Sequence, residues 1–193
     1  MRNDKLKIIG LITMTIDHIG YLFFPNIQLL RIIGRIAFPI FAYQITIGYK
    51  KTSNVYKYMT RLLFFALLSQ IPYMLVMQNK LNIIFTLLIG LIMIHLRKID
   101  KTLSLLPLLL TYFIEIEYGI YGLLTIYGFY IFEDIKAFFI GLNFVFFNPL
   151  QIFSILSLTI IECEFKTPIK LNKYVSYLYY PSHLLILYLL KFL

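Results

Sequence analysis

Charged residues are scarce in this chain. They make up 14% of its 193 residues, whereas hydrophobic residues make up 60% and the mean hydropathy is +0.81. A soluble domain of this length has too little interior for so much apolar sequence, so the composition excludes that class. Tryptophan is absent, and the 16 tyrosines must therefore supply the aromatic residues of the membrane interfaces. We predict a single integral membrane domain over residues 1–193.

Cysteine and histidine are also rare. The single cysteine, Cys163, excludes an intramolecular disulfide and a cysteine-rich metal site. The three histidines lie in separate apolar runs and form no His-x-x-x-His pair, so we expect no metal cofactor. A net charge of +9 would indicate nucleic-acid binding in a soluble chain, but here the basic residues lie between apolar runs. Membrane topology explains them better, and we expect no nucleic-acid partner.

Long apolar runs dominate the chain and are separated by charged residues, proline or asparagine. The runs cover residues 5–24, 28–49, 58–78, 82–96, 102–114, 118–132, 137–147, 150–161 and 174–192. Several are shorter than the roughly 20 residues that a membrane-spanning helix needs. We therefore predict an all-α polytopic transmembrane bundle of about eight or nine helices.

The basic residues indicate the orientation of this bundle. If the amino terminus is cytoplasmic, one side collects 14 of the 18 basic residues. These are Arg2, Lys5, Lys7, Lys50, Lys51, Lys57, Arg61, Arg97, Lys98, Lys101, Lys136, Lys166, Lys170 and Lys173. The distribution follows the positive-inside rule, so we expect a cytoplasmic amino terminus and a multi-pass protein in a lipid bilayer.

The first two apolar runs carry the strongest functional signal, because they hold ionisable residues at membrane depth. Asp17 and His18 lie in the first run, and Arg31 and Arg35 lie in the second. An ionisable group there costs at least about 2.5 kcal/mol, so a retained one usually has a function. At about 1.5 Å per helical residue, His18 and Arg35 lie about 10 Å below the same membrane face. We expect them to share a buried pocket with Asp17, with Arg31 one turn above.

A structural alternative exists for this group. An Asp–Arg pair can hold two helices together, in which case His18 is a bystander. A second intramembrane histidine, His183, lies about nine residues in from the cytoplasmic end of the last run and is harder to dismiss. His95 lies beside Arg97 and Lys98 at a predicted helix end and needs no special role.

Four further polar residues are candidates for binding an acceptor substrate. Gln70 and Asn82 fall in the same predicted outer half of the membrane as His18, and Glu117 and Tyr118 lie near the outer end of another run. Gln70 is followed by Pro72, so local satisfaction of the backbone is the alternative for this side chain. A carboxylate at the end of a span is usually solvated, which is the alternative for Glu117.

The most polar cytoplasmic segment follows the second run. It contains the cations Lys57 and Arg61 and the polar residues Thr52 and Asn54. Lys and Arg beside hydroxyl and amide groups suit phosphates, so these residues are candidates for binding an anionic cofactor. The alternative is that the cations only set the topology.

Several motifs occur in the order typical of the TraX family, which this chain resembles over almost its whole length. They are Met14 to Gly20 with Asp17 and His18, Gly34 to Phe41 with Arg35 and Pro39, Thr52 to Arg61, Ser69 to Pro72, Asn82 to Thr86, Tyr118 to Gly122, Gln151, and Tyr180 to Leu184 with His183. The family is named for the F-pilin acetylase, which acetylates the amino terminus of mature pilin. The chain departs from the family at Glu117, where Asp is frequent, and in the loop before Lys166.

The resemblance implies an integral acetyltransferase of the bacterial cytoplasmic (inner) membrane that uses acetyl-CoA as acyl donor. It implies catalytic roles for Asp17, His18, Arg35 and His183. The acceptor is then a peptide, protein or glycan group at the extracytoplasmic face. A pilin is one candidate among these acceptors.

The expected mechanism places the thioester beside His18, after the phosphates dock on the cytoplasmic cations. His18 acts as general base or carries the acetyl group, Asp17 fixes its tautomer, and Arg35 stabilises the oxyanion or anchors Asp17. Direct transfer and an acetyl-histidine intermediate both fit the sequence. The alternatives are a small ion- or proton-coupled transporter with a relay of Asp17, His18 and His183, or a noncatalytic scaffold.

Overall fold

The computed structural model describes residues 4–77, 80–163 and 169–193. Its α-helices are α1 (Lys5–Phe23), α2 (Gln28–Gly34), α3 (Ala37–Lys51), α4 (Val55–Val76), α5 (Ile83–Leu96), α6 (Leu106–Phe113), α7 (Gly119–Ile131), α8 (Lys136–Val145), α9 (Leu156–Glu162) and α10 (Lys173–Leu190). Short 3-10 segments, Leu103–Leu105 and Gln151–Ile155, precede α6 and α9. The described ranges contain no β-strand, which confirms the all-α prediction.

Each of the nine predicted apolar runs contains a helix, but the second run is divided. Its helix is interrupted at Arg35 and Ile36, which separate α2 from α3. Pro39 explains the break, because it has no N–H for the carbonyl of Arg35 and its ring would clash with that carbonyl in a continuous helix. The predicted end of the third run, Gln78, lies outside the described residues.

Three stretches in the described part of the chain are long and apolar enough to cross a membrane. They are Lys5–Phe23, Gln28–Lys51, which combines α2 and α3, and Val55–Val76. Other apolar helices have between 10 and 17 residues. The number of crossings and the cytoplasmic amino terminus stay predictions.

The chain divides into two compact units. Unit 1 comprises Met1–Phe41 and Asn143–Leu193, and unit 2 comprises Ala42–Leu142. The division falls within α3, and the single-domain prediction is not tested by it. The two units are described separately below.

Unit 1 is built around α1, which packs against α2 and α10. Glycines allow the close approach of α1 and α2: a Cβ on Gly20 would lie 2.6 Å from Cβ of Leu30, and one on Gly34 would overlap the Asp17 side chain. Small residues at a helix crossing are a common means of packing in membrane proteins. The start of α1 is also tied to the segment before α10, since Asp4 Oδ2 accepts a 2.9 Å hydrogen bond from Leu171 N.

Unit 2 has α5 at its centre, packed against α4 and α7. A Cβ on Gly90 of α5 would overlap Ile126 of α7, so glycine is needed for this contact as well. The ends of these helices are joined by a short parallel bridge. In it, Leu81 N donates to Glu115 O at 2.9 Å and Glu117 N donates to Leu81 O at 3.0 Å.

Candidate functional site

Asp17 lies at the centre of an ion-pair cluster between α1 and α2. Arg31 donates from Nη1 to Oδ2 of Asp17 at 2.7 Å, and Arg35 donates from Nη2 to Oδ1 at 2.8 Å. Arg31 Nη1 also donates to the backbone carbonyl of Asp17 at 3.1 Å. These contacts confirm that α1 and α2 bring the carboxylate and both guanidinium groups together.

The local sequence explains this arrangement. Arg31 and Arg35 are four residues apart, so they lie on one face of the helical segment. Gly34 leaves the space that the Asp17 side chain occupies. The side chain of Asp17 is only 12% exposed. Removing one partner of an ion pair so far from water strongly destabilises the folded protein, because the other charge stays buried without compensation. The cluster therefore holds α1 and α2 together.

His18 and His183 form a second buried pair, between α1 and α10. Nδ1 of His18 lies 2.8 Å from Nε2 of His183, and the two ring planes are nearly parallel, at 6°. Both residues are buried, with 5% and 6% of their surface exposed. The two intramembrane histidines of the sequence, 165 positions apart, therefore meet in one site.

Hydrogen-bond chemistry determines which nitrogen of each neutral ring carries the proton. Nδ1 of His183 lies 2.9 Å from the carbonyl oxygen of Tyr179, which only accepts, so this nitrogen is protonated. Nε2 of His183 is then an acceptor, and Nδ1 of His18 donates to it. His18 consequently keeps a lone pair on Nε2. Among the described residues, none makes a hydrogen bond to this atom.

Tyr179 and Thr15 hold the histidine pair in place. The Thr15 hydroxyl donates to Leu11 O at 2.9 Å, so the Tyr179 hydroxyl donates to Thr15 Oγ1 at 2.7 Å. The Tyr179 ring also stacks on His183, with ring centroids 5.2 Å apart. Sequence reasoning missed both residues. A tyrosine one helical turn before an intramembrane histidine was the available signal.

The partner of His18 differs from the one expected. We expected Asp17 to orient the His18 ring, but both carboxylate oxygens of Asp17 bond to arginines, and His183 orients the ring instead. The physical reason is that adjacent residues on an α-helix point about 100° apart. We considered two roles for Arg35, stabilising the oxyanion and anchoring Asp17. Its hydrogen bond to Asp17 Oδ1 corresponds to the anchoring role.

Arg31 retains hydrogen-bonding capacity. Both of its hydrogen bonds to Asp17 use Nη1, and its guanidinium lies 5.2 Å from the centre of the Tyr21 ring. Its side chain is 23% exposed, compared with 16% for Arg35. Arg31 is therefore the more accessible guanidinium of the cluster, which suits the substrate-binding role predicted for it.

Gln70 and Asn82, in unit 2, form an amide network in which Asn82 is buried and Gln70 is half-buried. Asn82 Nδ2 donates to Gln70 Oε1 and to Ala66 O, both at 2.8 Å, and its Oδ1 caps α5 by accepting from Ile84 N at 3.0 Å. Gln70 Nε2 donates to Lys80 O at 2.8 Å. These contacts correspond to the local satisfaction considered as an alternative. A role of Gln70 and Asn82 in substrate binding stays a prediction.

Glu117 and Tyr118 lie at the start of α7. The carbonyl of Glu117 accepts a short hydrogen bond from the Thr86 hydroxyl, and Tyr118 has a left-handed backbone with φ of 63°. Positive φ is uncommon for tyrosine, so this turn is strained and firmly held by its neighbours. The predicted contact of both residues with an acceptor is not tested.

The predicted cofactor-binding loop is mainly a helix cap. Asn54 Oδ1 accepts from Lys57 N at 2.9 Å, and Thr52 Oγ1 accepts from Asn54 N at 3.3 Å, which together begin α4. Arg61 lies over the Tyr58 ring, 5.1 Å from its centre, and Lys57 is exposed. The capping contacts use the acceptor atoms of Thr52 and Asn54. Cofactor binding by these four residues stays a prediction.

Metal ligands are not grouped in this site. In the ranges that the structure describes, no group of three or more His, Cys, Asp or Glu side chains is arranged to hold a metal ion. The described site offers an imidazole pair on one side of α1 and, next to it in the sequence, a carboxylate bonded to two guanidinium groups.

Apolar helices with ionisable residues buried between them define an integral membrane protein. The chain belongs to the TraX family, since the family described as TraX protein matches residues 2–191. The family prediction is thereby confirmed.

Two curated relatives are similar over part of the chain. An uncharacterised protein of Rickettsia prowazekii (strain Madrid E) is 38% identical over 90 residues, which are 45% of this chain and 34% of that protein. A probable fimbrial assembly protein FimC, serogroup H1, of Dichelobacter nodosus is 34% identical over 70 residues, which are 34% of this chain and 29% of that protein. The chain thus spans about a third of the length of these relatives. No solved structure matches it.

Proposed function

We propose that this protein is a membrane-embedded acetyltransferase that moves an acetyl group from cytoplasmic acetyl-CoA to an acceptor at the extracytoplasmic face. The observation that supports the proposal most directly is the tautomer of His18. Its Nδ1 proton is given to His183, so its Nε2 lone pair is left as a base or nucleophile. Membership of the TraX family supports the same chemistry.

In direct transfer, Nε2 of His18 removes a proton from the acceptor amine or hydroxyl as that group attacks the thioester carbonyl carbon. The carbon–sulfur bond breaks, and His18 then gives the proton to the departing CoA sulfur. The products are the acetylated acceptor and CoA. In the alternative route Nε2 itself attacks the carbonyl carbon, and CoA leaves as the thiolate. The acceptor then displaces the neutral imidazole, and the proton that the acceptor loses passes to the CoA thiolate. The histidine pair suits both routes.

His183 and Arg31 have complementary parts in this mechanism. When His18 takes up a proton, its Nδ1–H bond to His183 stabilises the resulting imidazolium. Arg31 supplies a partly exposed guanidinium, which can donate to the oxyanion that forms on the thioester carbonyl. Asp17 and Arg35 position Arg31 and contribute no proton transfer. This assigns the oxyanion role to Arg31 and the anchoring role to Arg35.

The acceptor is proposed to be a peptide or protein amino terminus, or an amine or hydroxyl of a cell-surface glycan. The fimbrial assembly name of one relative favours a pilus subunit. Such an acceptor would enter from the extracytoplasmic side of the bacterial inner membrane. The lipid bilayer that surrounds the protein is a further proposed partner.

A small proton-coupled transporter is the second candidate, and the His18–His183 hydrogen bond favours it, because such a bond can pass a proton between helices. Asp17 is a poor member of a relay, since both of its carboxylate oxygens bond to arginines. The transporter has no reason to bind acetyl-CoA. Cofactor binding therefore separates the two functions.

The decisive experiment uses purified protein in proteoliposomes, with labelled acetyl-CoA outside or inside and an amino-terminal pilin peptide or a glycan as acceptor. We expect transfer detected by mass spectrometry, and thermal stabilisation by acetyl-CoA through linkage. Stabilisation without any transfer would point to a different acceptor. A proton flux with neither stabilisation nor transfer would establish the transporter instead.

The orientation is tested by cysteine labelling in a Cys163→Ser background. A label that cannot cross membranes should modify a cysteine at Lys80 in intact cells, and a cysteine at Ser53 only after permeabilisation. The reverse pattern would place the amino terminus outside and remove the transmembrane step from the mechanism.

A further inference from the structure

One end of unit 2 carries aromatic and cationic side chains in mutual contact. The cluster, called the Tyr/Lys cluster below, consists of Tyr49, Lys50, Tyr56, His95, Lys98 and Tyr130. These residues come from the ends of α3, α5 and α7 and from the first turn of α4. His95, for which we predicted no special role, therefore lies within a larger arrangement.

The inner part of the Tyr/Lys cluster is held by one hydrogen bond and an aromatic contact. The Tyr49 hydroxyl lies 3.1 Å from Nδ1 of His95 and fixes the imidazole. The Tyr49 ring meets Tyr130 edge to face, with centroids 5.6 Å apart. Edge-to-face contacts of this kind favour a defined ring geometry.

The outer part of the Tyr/Lys cluster faces solvent. Lys98 Nζ lies 5.0 Å from the centre of the Tyr49 ring, and Lys50 Nζ lies 5.9 Å from that of Tyr130. Both lysines are exposed. The Tyr56 ring is 70% exposed and meets the His95 ring edge to face at 5.7 Å. An exposed aromatic face therefore lies in one cluster with two ammonium groups.

The two lysines have no carboxylate partner among the described residues. Other lysines do: Lys7 pairs with Asp4 at 3.7 Å, and Lys80 pairs with Glu115 at 3.5 Å. Two ammonium groups without a carboxylate partner attract an external anion. The chemistry of the cluster thus suits a ligand that combines phosphate groups with an aromatic ring.

We propose that the Tyr/Lys cluster binds the phosphorylated nucleotide end of the acyl donor, with phosphates on Lys50 and Lys98 and the base on Tyr56. Bases stack readily on exposed aromatic side chains, and ammonium groups bind phosphates. His95 is a positioning residue that holds Tyr56. This inference rests on the proposed acetyltransferase function and adds a site beside the predicted loop, whose Thr52 and Asn54 cap α4.

The test measures binding of adenosine 3′,5′-bisphosphate to the full-length protein in nanodiscs of uncharged lipid, by calorimetry. Lys50→Gln with Lys98→Gln should weaken binding about tenfold or more. The matched control, Lys51→Gln with Lys101→Gln, removes the same charge from two other exposed lysines and should change affinity less than about twofold. Equal weakening in both double variants would mean that affinity depends only on the net charge of the protein, and it would overturn the proposal.

A second variant tests the aromatic contact. Tyr56→Leu should weaken binding of the bisphosphate about fivefold or more, while binding of inorganic pyrophosphate stays unchanged. A lipid phosphate is the other possible ligand, and cosedimentation with phosphatidylglycerol vesicles detects it. If the lysine double variant loses vesicle binding but keeps its nucleotide affinity, the cluster is a lipid site and the proposal is wrong.

The outcomes separate this inference from the proposed function. If the protein transfers acetyl groups and the lysine double variant keeps the KM for acetyl-CoA, the site is wrong and the function stands. If the protein binds the bisphosphate through the cluster but is neither stabilised by acetyl-CoA nor able to transfer an acetyl group, the site stands and the function is wrong.

Discussion

Two polar clusters lie among apolar helices, and they differ in whether every polar side-chain atom has a hydrogen-bond partner within the cluster. In unit 2, Gln70 and Asn82 direct their amide groups to each other and to backbone groups at the start of α5. In unit 1, the histidine pair uses three of its four ring nitrogens and leaves Nε2 of His18. The first cluster is neutral and locally satisfied. The second keeps one nitrogen lone pair without a hydrogen-bond partner among the described residues.

The difference shows that a polar residue inside an apolar helix is not functional by its position alone. A buried amide that finds its partners stabilises a helix junction, as Asn82 does at α5. A buried imidazole whose tautomer is set by its neighbour is prepared for proton transfer. Substitutions in the two clusters should therefore affect different measurements: activity in unit 1, and stability alone in unit 2.

The largest effect is expected for His18→Asn. Asparagine keeps an amide nitrogen near the position of Nδ1, which can still donate to His183, but it has no atom in place of Nε2. Loss of general base catalysis should reduce acetyl transfer about 100- to 10,000-fold, or about 3 to 5 kcal/mol. Transfer by mass spectrometry and thermal stabilisation by acetyl-CoA are the measurements. Near-normal transfer would rule out His18 and make His183 the next candidate.

Asp17→Asn should lower the free energy of unfolding by about 3 kcal/mol, because it leaves two guanidinium groups without their anion. Transfer should fall as well, since Arg31 loses its anchor. Thermal unfolding in detergent gives the comparison. Glu115→Gln is the matched control, because this carboxylate is 75% exposed beside Lys80 and should cost about 1 kcal/mol or less. A stable Asp17→Asn protein would mean that the ion pairs do not hold α1 to α2.

At His183, two substitutions should differ. Glutamine places an amide oxygen near the position of Nε2 and can still accept from His18, so His183→Gln should keep most of the transfer rate. His183→Leu removes the acceptor and should cost about 10- to 100-fold, the value of one hydrogen bond to a charged group. The pH dependence of kcat should also shift only in the leucine variant. Equal activities would show that His183 does not orient His18.

The smallest effect on activity is expected for Asn82→Ala. It removes the α5 cap and the donors to Gln70 and Ala66. The free energy of unfolding should therefore fall by about 1 to 3 kcal/mol. The kcat of the folded fraction should stay within about twofold of the parent. Asn82→Asp, which keeps the capping oxygen, should recover part of the stability. A large fall in kcat at full stability would instead support the predicted contact with the acceptor.

The helical class and the positions of the helices could be predicted from local sequence patterns. Apolar runs of sufficient length allow few structures other than helices, because a membrane offers no partner for free backbone groups. The break in the second run at Arg35 was also encoded locally, in Pro39. Likewise, the cost of burying Asp17, His18 and His183 singled these residues out before any fold was available.

Which of these residues bond to each other depends on how the helices pack. Asp17 and His18 are adjacent in sequence, yet they point to different neighbours, since successive helical positions are rotated by about 100°. His18 and His183 meet because α1 packs against α10, a contact between residues 165 positions apart that no local pattern encodes. The tautomer of His18 depends on this contact, so the atom proposed to do the chemistry is a property of the fold.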